Sequence, residues 1–287
     1  MEITAPYRLS EPAHLTSCAV FNSPHSGNSY PKTLIRRSRL DARRLRASED
    51  ALVDQLFASA PEFGAPLLSA VVPRAWIDLN RSPSELDPAL IQGLQSTRLN
   101  QRIAAGLGVV PRIVAEGTAI YDGKISMDDV RNRIETCHKP YHARLETLIQ
   151  RASGEFGTAN LFDCHSMPTD ALRAAPRVKG SLPDIVLGDR FGAAADREVA
   201  ILTHEAFQAE GFTVARNAPF AGGYITQRYG RPSRHVSAIQ IEIDRGIYLD
   251  QRRIEPLPEF AEVRRRISRV VEKLAAILPA GVAVAAE

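Results

Sequence analysis

Short apolar segments alternate with amphipathic helical stretches along the chain, and this alternation limits the folds that are available to it. The apolar segments are rich in Val, Ile, Leu and Phe, and several are bounded by Gly or Pro, which is typical of β-strands. Strands that alternate with helices over the full length predict an α/β sandwich. The segments lie near residues 14–22, 66–79, 158–164, 184–188, 212–216 and 237–244.

The composition is that of an ordinary globular domain. Of the 287 residues, 44% are hydrophobic and 24% are charged, and the net charge is +3. A chain of this length can form one large core, and no repeat or low-complexity linker divides it, so we expect a single catalytic domain over residues 1–287. Paired arginines lie on helical stretches without stacking aromatic residues, which indicates solvated helix faces and no nucleic-acid partner.

The sequence gives no indication of membrane targeting or of a disulfide framework. The N-terminus lacks a signal pattern, and no apolar run reaches the ~20 residues of a membrane span. Cys18, Cys137 and Cys164 are odd in number and widely spaced, which favours buried thiols. We therefore expect a cytoplasmic protein without a membrane partner. No glycine-rich phosphate loop follows a strand, so nucleotide cofactors are not expected.

Three longer helices are predicted. A capping box at residues 126–129 opens the first of them. Pro140 lies inside this helix, and a proline removes one helical hydrogen bond, so we expect a kink or break near Thr136 or Cys137. The other two helices are expected over residues 193–209 and 259–278.

Three apolar runs end in polar residues that suit metal or carboxylate chemistry. Pro24-His25-Ser26-Gly27 follows one, Asp78-Leu79-Asn80-Arg81 follows another, and Phe162-Asp163-Cys164-His165 ends the third. Ligands bind beyond the carboxyl ends of strands in open α/β sheets, so these endings are expected to lie at one place. A lone histidine at a strand end is more often structural, but two of them, His25 and His165, favour a metal site. A catalytic zinc site needs a third protein ligand.

Two further signals concern substrate binding and proton transfer. The guanidinium of Arg81 can bind a carboxylate through two hydrogen bonds, helped by the amide of Asn80; the alternative is a surface arginine paired with a nearby acid. Glu242 shares one strand face with Gln240 and Asp244. A solvent-facing edge strand would explain this pattern, and so would a general base for amide hydrolysis.

Residues 217–226 precede that strand and contain two adjacent glycines. Gly222 and Gly223 allow the backbone to approach a ligand closely or to adopt positive φ angles. Tyr224 and Thr226 would then supply polar contacts to a substrate. A plain structural turn explains the segment equally well.

Several motifs occur in a fixed order over nearly the whole chain. They are Pro24-His25-Ser26-Gly27 with Tyr30-Pro31, Asp78-Leu79-Asn80-Arg81, Pro140-Tyr141-His142, Phe162-Asp163-Cys164-His165-Ser166, Pro183-Asp184 with Leu187-Gly188, Phe220 to Thr226 with Tyr229-Gly230, and Gln240-Ile241-Glu242. Together they resemble the N-formylglutamate amidohydrolase (deformylase) family, which is related to zinc carboxypeptidases and aspartoacylase. The resemblance implies a three-layer α/β/α sandwich with a mixed central sheet, of the zinc-exopeptidase (phosphorylase/hydrolase-like) type.

The resemblance also implies roles for individual residues. In such enzymes two histidines and one acid bind zinc, an Asn-Arg pair binds the substrate carboxylate, and a late glutamate activates water. These roles fall on His25, His165, Asn80, Arg81 and Glu242. The Pro140-Tyr141-His142 motif makes His142 a candidate for substrate binding, although a buried structural histidine would fit equally well. No role is assigned to the remaining histidines, His14, His138, His204 and His235.

The acidic zinc ligand is missing from its usual position. In carboxypeptidase-like relatives it follows the first histidine by three residues, where this chain has Asn28, and a neutral amide is a poor zinc ligand. The acidic stretch at residues 48–54 resembles the one before the first helix in the family. We expect Asp50 to be the ligand, with Glu49 and Asp54 as alternatives. Ordinary acids favoured at a helix N-terminus would also explain the stretch.

We therefore expect an amidohydrolase with one Zn²⁺, or another divalent ion, per chain, acting on a small carboxylate substrate such as N-formylglutamate. The resemblance implies a place in histidine degradation. Another N-acyl amino acid deacylase, a carboxypeptidase-like hydrolase and a catalytically inactive ligand-binding relative stay open as alternatives. No oligomeric state is predicted.

A second substrate carboxylate would need a further cation, for which the unranked candidates are Arg131, Arg133, Arg173, Arg177, Arg190 and Arg228.

Overall fold

Nine strands and nine α-helices lie in the part of the chain that the computed structural model describes, which is residues 5–95, 100–114, 117–178 and 180–278. The strands are β1 (Tyr7–Ser10), β2 (Ala19–Ser23), β3 (Leu67–Ala70), β4 (Ala159–Met167), β5 (Ile185–Gly188), β6 (Val214–Arg216), β7 (Val236–Asp244), β8 (Leu249–Asp250) and β9 (Glu255–Pro256). The helices are α1 (Lys32–Arg37), α2 (Ala42–Leu45), α3 (Val53–Leu56), α4 (Gln101–Ala104), α5 (Met127–Arg133), α6 (Lys139–Phe156), α7 (Arg197–Ala209), α8 (Tyr224–Tyr229) and α9 (Phe260–Ala275). Among these helices, none combines the length and the apolar character needed to cross a membrane.

Seven strands form one mixed sheet in the order β1-β3-β2-β4-β7-β5-β6. Strand β4 pairs in parallel with β2 and with β7, whereas β5 runs antiparallel to β7 and parallel to β6. Every residue of β4 is buried, as expected for a strand that is covered on both faces. The predicted α/β fold with a mixed central sheet is confirmed.

One predicted strand is shorter than its apolar pattern indicated. The segment 66–79 contains β3, but β3 ends at Ala70, and the residues that follow are turns and bends. Pro73 explains this early end, because proline has no N–H for the strand ladder. Asn80 and Arg81 therefore lie in a turn, and the expectation that they terminate a strand is wrong.

A π-helical segment, Ile134–His138, separates α5 from α6. It confirms the expected break before Pro140, whose ring would clash with the carbonyl of Thr136 in a regular α-helix. A π turn is wider and relieves that clash. Both His138, inside the π segment, and His142, in α6, are buried.

By its internal contacts the chain divides into two compact units. Among the described residues, the first contains those within 5–8, 24–51 and 69–144, and the second contains those within 9–23, 52–68 and 145–278. The first includes α1, α2, α4 and α5, and the second includes α3, α7, α8 and α9. The expectation of a single domain over residues 1–287 stays a prediction.

The core of the second unit lies between the sheet and the helices that pack on it. On the sheet, Phe21 of β2 stacks on Phe162 of β4 with ring centroids 5.2 Å apart, and Phe57 lies 6.1 Å from Phe21. The last residue of helix α9, Ala275, is bound to Ser17, whose hydroxyl donates to the Ala275 carbonyl at 2.6 Å. Helix α9 buries one stripe at spacings of three and four residues, formed by Val263, Ile267, Val270, Val271 and Leu274.

In the first unit, the fully buried Arg133 joins α5 to the turns around it. Its Nε and Nη2 donate to the two carboxylate oxygens of Asp129 at 3.1 and 2.8 Å. Its Nη1 donates to the Trp76 carbonyl at 3.1 Å and to the Tyr121 hydroxyl at 2.7 Å. The guanidinium carbon also lies 3.5 Å from the centroid of the Trp76 ring. A buried cation is tolerated only when its donors are paired in this way.

Substitution Arg133→Lys is expected to lower the free energy of unfolding by about 3–5 kcal/mol, because an ammonium cannot reproduce the bidentate and stacked contacts. Arg131→Lys is the matched control, since Arg131 lies on the same helix and, within the described part of the chain, forms only an exposed pair with Asp128. It should leave stability unchanged. Urea unfolding followed by circular dichroism measures both variants, and equal midpoints for the two would contradict this account.

Candidate metal centre and active site

His25 lies two residues beyond β2, buried between two carboxylates of the first unit. Its Nε2 is 2.8 Å from Oδ1 of Asp78, and its Nδ1 is 3.4 Å from Oδ2 of Asp50. An ionised carboxylate can only accept, so Nε2 carries a proton and donates to Asp78. The main chain strengthens this arrangement, because the Asp50 N–H donates to the His25 carbonyl at 3.0 Å. Nδ1 is therefore the ring nitrogen that offers a lone pair on the side of Asp50.

Asp78 is a buried acceptor with several donors. Besides His25, it accepts from Nε of Arg74 at 3.0 Å and from the main-chain N–H of Asn80 at 2.8 Å. Burial by itself would raise the pKa of the Asp78 carboxyl, but the charges of Arg74 and Arg81 and the hydrogen bond from His25 lower it by more, and its pKa lies well below the ordinary value. Asp78 therefore stays ionised and orients the His25 ring, as a second carboxylate does behind a metal-bound histidine.

Asn80 and Arg81 are both buried in the turn that follows Asp78. Arg81 donates from Nη1 to the Asn80 carbonyl at 2.8 Å and from Nε to the Leu107 carbonyl at 3.1 Å. Burial lowers the pKa of the Arg81 guanidinium, although the nearby Asp78 carboxylate raises it. The alternative of a surface arginine paired with Glu85 or Asp87 does not describe this buried side chain.

Two neighbouring histidines, His138 and His142, bind the main chain of the same turn. His142 donates from Nε2 to the Leu79 carbonyl at 2.9 Å, and His138 donates from Nε2 to the Arg81 carbonyl at 2.9 Å. Their rings lie 4.3 Å apart. His142 thus meets the main chain of the Asn80–Arg81 turn, and its predicted contact with a substrate stays a prediction. Sequence reasoning missed His138; only its spacing of four residues from His142 gave a signal.

In the second unit, β4 and β7 place four polar side chains side by side. Their parallel register pairs Asp163 with Gln240 and His165 with Glu242. His165 Nε2 lies 3.0 Å from Oδ2 of Asp163, whose Oδ1 accepts from Nδ2 of Asn22 at 2.6 Å. Asp163 therefore orients the His165 ring as Asp78 orients His25.

Glu242 is buried on a central strand. Its Oε1 accepts from Nε2 of Gln240 at 2.7 Å, and β7 lies between β4 and β5 in the sheet. A solvent-facing edge strand, the simple explanation of this acidic residue, is therefore wrong. Paired residues on neighbouring strands point to the same face, so Glu242 and His165 share one.

The three predicted metal ligands meet in one group. His25, Asp50 and His165 are all buried, and each offers one ligand atom, with these atoms all within 4.8 Å of one another. Of the two alternative acids, Glu49 is bound by the Tyr30 hydroxyl at 2.6 Å and by Arg46, while Asp54 lies in the first turn of α3. Neither belongs to the group, and Asn28 is exposed.

The segment with the paired glycines begins helix α8, which packs against β4 and β7. Gly222 has a φ of 125°, and a Cβ there would lie 2.6 Å from Oγ1 of Thr226, so only glycine fits. The Thr226 hydroxyl is buried and donates to the Gly223 carbonyl at 2.9 Å. Tyr224, which is half-buried, accepts from Arg228 at 3.2 Å.

Gly188 shows which sheet face this segment covers. A Cβ on Gly188 would lie 2.7 Å from the carbonyl carbon of Ala221, so the main chain of the segment rests directly on β5. Gly188 is paired with Gln240, and paired residues point to the same face. The segment therefore covers the face that carries Gln240 and Glu242.

Comparison with known proteins gives a consistent result. The family model described as N-formylglutamate amidohydrolase matches residues 17–249. The N-formylglutamate deformylase of Pseudomonas aeruginosa is 31% identical over 259 residues, which is 89% of this chain and 90% of that protein. The N-formylglutamate deformylase of Pseudomonas putida is 30% identical over 236 residues, which is 81% of this chain and 82% of that protein.

Solved structures agree with the sequence matches. The N-formylglutamate amidohydrolase from Ralstonia eutropha superposes with a TM-score of 0.88 at 34% identity, covering 94% of this chain and 97% of that one. A protein from Agrobacterium tumefaciens shares the fold with a TM-score of 0.63 at 18% identity, and 94% of each chain is covered. The chain therefore belongs to the N-formylglutamate amidohydrolase family and is a hydrolase that acts on amide bonds.

Proposed function

We propose that the protein is a zinc-dependent deformylase, which hydrolyses the N-formyl amide of N-formylglutamate or a similar N-acyl amino acid to formate and the free amino acid. The observation that carries this proposal is the buried group of His25, Asp50 and His165, with Glu242 paired to His165 across the sheet. The names of the relatives, which are N-formylglutamate deformylases, support the choice of substrate.

The donor set fits a zinc ion. Two imidazoles and a carboxylate are ligands that catalytic zinc uses. One nitrogen of each ring lies beside a second carboxylate, Asp78 at 2.8 Å for His25 and Asp163 at 3.0 Å for His165. With a neutral His25 ring, the Nδ1 lone pair and the Asp50 oxygen face each other at 3.4 Å, and a shared cation removes their repulsion.

His25, Asp50 and His165 would hold one ion per chain. When bound, zinc supplies Lewis-acid chemistry, which polarises an amide carbonyl and lowers the pKa of water. Imidazole and carboxylate ligands also suit other first-row divalent metals, so zinc is proposed from ligand type and family.

Glu242 acts as the general base and proton shuttle. Its carboxylate takes a proton from the attacking water and returns it to the nitrogen of the leaving amine. The Gln240 amide, which donates to Oε1 at 2.7 Å, holds the carboxylate in a fixed orientation. The buried position of Glu242 strengthens its electrostatic interaction with the reacting groups.

Arg81, assisted by Asn80, anchors a substrate carboxylate. A guanidinium has five N–H donors, and the Asn80 and Leu107 carbonyls take two of them, which leaves three for a bidentate contact. Tyr224, Thr226 and His142 complete the proposed substrate-binding set. His142 contributes through the Leu79 carbonyl, which belongs to the turn that carries the anchor.

An assay of formate release tests the reaction. The zinc-loaded protein is expected to hydrolyse N-formylglutamate much faster than N-acetylglutamate or a dipeptide. Removal of the metal by a chelator should abolish turnover, and added zinc should restore it. A preference for N-acetylglutamate would instead indicate another deacylase, a preference for the dipeptide would indicate a carboxypeptidase-like enzyme, and binding without turnover would indicate an inactive relative.

The third metal ligand is tested by paired substitutions. Asp50→Ala should lose most of the bound zinc, because it removes the only carboxylate of the described His–Asp–His group. Asn28→Ala changes an exposed residue in the same stretch of the first unit, residues 24–51, and should keep the metal. Metal content by mass spectrometry after dialysis measures both, and stoichiometric zinc in Asp50→Ala would remove Asp50 from the ligand set.

Glu242→Gln is expected to lower kcat by about 10²- to 10⁴-fold, since the amide cannot accept the proton. Zinc content and KM should stay close to those of the parent protein, because the glutamine keeps an acceptor for Gln240. Glu272→Gln, the same change at an exposed position on α9, serves as the control. Near-normal turnover in Glu242→Gln would exclude this residue as the base.

A further inference from the structure

Arg190 differs from the other arginines in the described ranges. It is half-buried, yet its guanidinium contacts no hydrogen-bond acceptor and no aromatic ring among the described residues. Every other buried or half-buried arginine in those ranges has such a contact, for example Arg74 with Asp78 and Arg112 with Asp87. A guanidinium that is partly withdrawn from water without a protein partner is suited to an anionic ligand.

A hydrogen-bonded network holds the backbone around Arg190 in an uncommon conformation. Arg190 and Phe191 have φ angles of 55° and 56°, in the left-handed region that residues with side chains rarely adopt. Oδ1 of Asn217 accepts from the main-chain N–H groups of Asp189 at 3.1 Å and Phe191 at 3.3 Å. The Asp189 carboxylate in turn binds Asn217 and Arg216. Backbone conformations that the surroundings enforce in this way are concentrated at ligand sites.

Arg190 lies against the segment that the proposed function assigns to the substrate. Its main-chain N–H donates to the Ala221 carbonyl at 2.7 Å. Its Cγ lies 3.0 Å from the place that a Cβ on Gly222 would occupy, and Oγ1 of Thr226 lies 2.6 Å from the same place. This segment covers the sheet face that carries Glu242. Arg190 therefore lies on the same face of the sheet as the proposed general base, within the second unit.

The other arginines that the sequence offered for a second carboxylate are already engaged. Arg133 is fully buried and bound by Asp129, Tyr121 and Trp76. The remaining four are exposed, and each donates to a neighbouring side chain or carbonyl: Arg131, Arg173, Arg177 and Arg228.

We propose that Arg190 binds the second carboxylate of a dicarboxylic substrate, which is the side-chain carboxylate of an acidic N-formyl or N-acyl amino acid. This inference rests on the proposed function, in which Arg81 binds the other carboxylate. Arg190 then determines specificity, because a neutral side chain of equal length would leave the half-buried guanidinium without its anion.

The test compares two substrates that differ only in this group, N-formylglutamate and N-formylglutamine. In the zinc-loaded enzyme, Arg190→Gln should lower kcat/KM for N-formylglutamate by about 10- to 100-fold, mainly through KM, and change the value for N-formylglutamine by less than about threefold. Arg197→Gln, the same change at an exposed position on α7, should keep the parent ratio of kcat/KM for N-formylglutamate to kcat/KM for N-formylglutamine. Arg190→Asn is the second variant, because asparagine tolerates the left-handed backbone better than glutamine does.

The outcomes separate this inference from the function on which it rests. Loss of the preference for the acidic substrate in Arg190→Gln or Arg190→Asn, with zinc content and thermal unfolding unchanged, supports the assignment. If the parent enzyme cleaves N-formylglutamate and both variants keep its ratio of kcat/KM for N-formylglutamate to kcat/KM for N-formylglutamine, the role of Arg190 is overturned and the proposed function stands. A parent protein that cleaves neither substrate overturns both proposals.

Discussion

The buried carboxylate of Asp78 joins the parts of the first unit that carry chemistry. One of its oxygens accepts from the His25 ring and from the Asn80 main chain, and the other accepts from Arg74. Because a carboxylate only accepts, this contact places the ring proton on Nε2 and turns the Nδ1 lone pair toward Asp50. The same side chain shapes the turn that presents Arg81. Orientation of the proposed metal ligand His25 and of the proposed carboxylate anchor Arg81 therefore depends on one ionised group.

Strand register has the corresponding effect in the second unit. Parallel pairing of β4 with β7 sets His165 beside Glu242 and Asp163 beside Gln240. A shift of the pairing by one residue would move every side chain of the strand to the opposite face of the sheet. The register that buries the apolar side chains of β4 therefore also determines these polar partners. Within each strand the neighbour two residues away completes the arrangement: Asp163 holds His165, and Gln240 holds Glu242. Packing and site geometry are thus set by the same pairing.

Local sequence signals were reliable where the physical cause was local. Pro140 interrupts its helix wherever that helix packs, and the π segment at Ile134–His138 is the result. Apolar runs located the central strands for the same reason. The prediction of a strand over residues 66–79 was wrong because it followed the apolar residues of this segment and gave too little weight to Pro73. A proline cannot donate to the strand ladder, and β3 ends at Ala70. His138 carried only the weak signal of its spacing from His142, since its hydrogen bond goes to a carbonyl 57 residues away in the chain.

The sequence by itself determined the α/β fold, the family, and the residue types that suit a metal-dependent hydrolase, because periodicity and motif order are written along the chain. Only the tertiary structure decided which acid accompanies His25 and His165, since Glu49, Asp50 and Asp54 are chemically alike and differ in where the backbone directs them. It also distinguished Arg190 from five other arginines. Burial and the presence of a neighbouring acceptor make that difference, and both arise from contacts between residues that are distant in sequence.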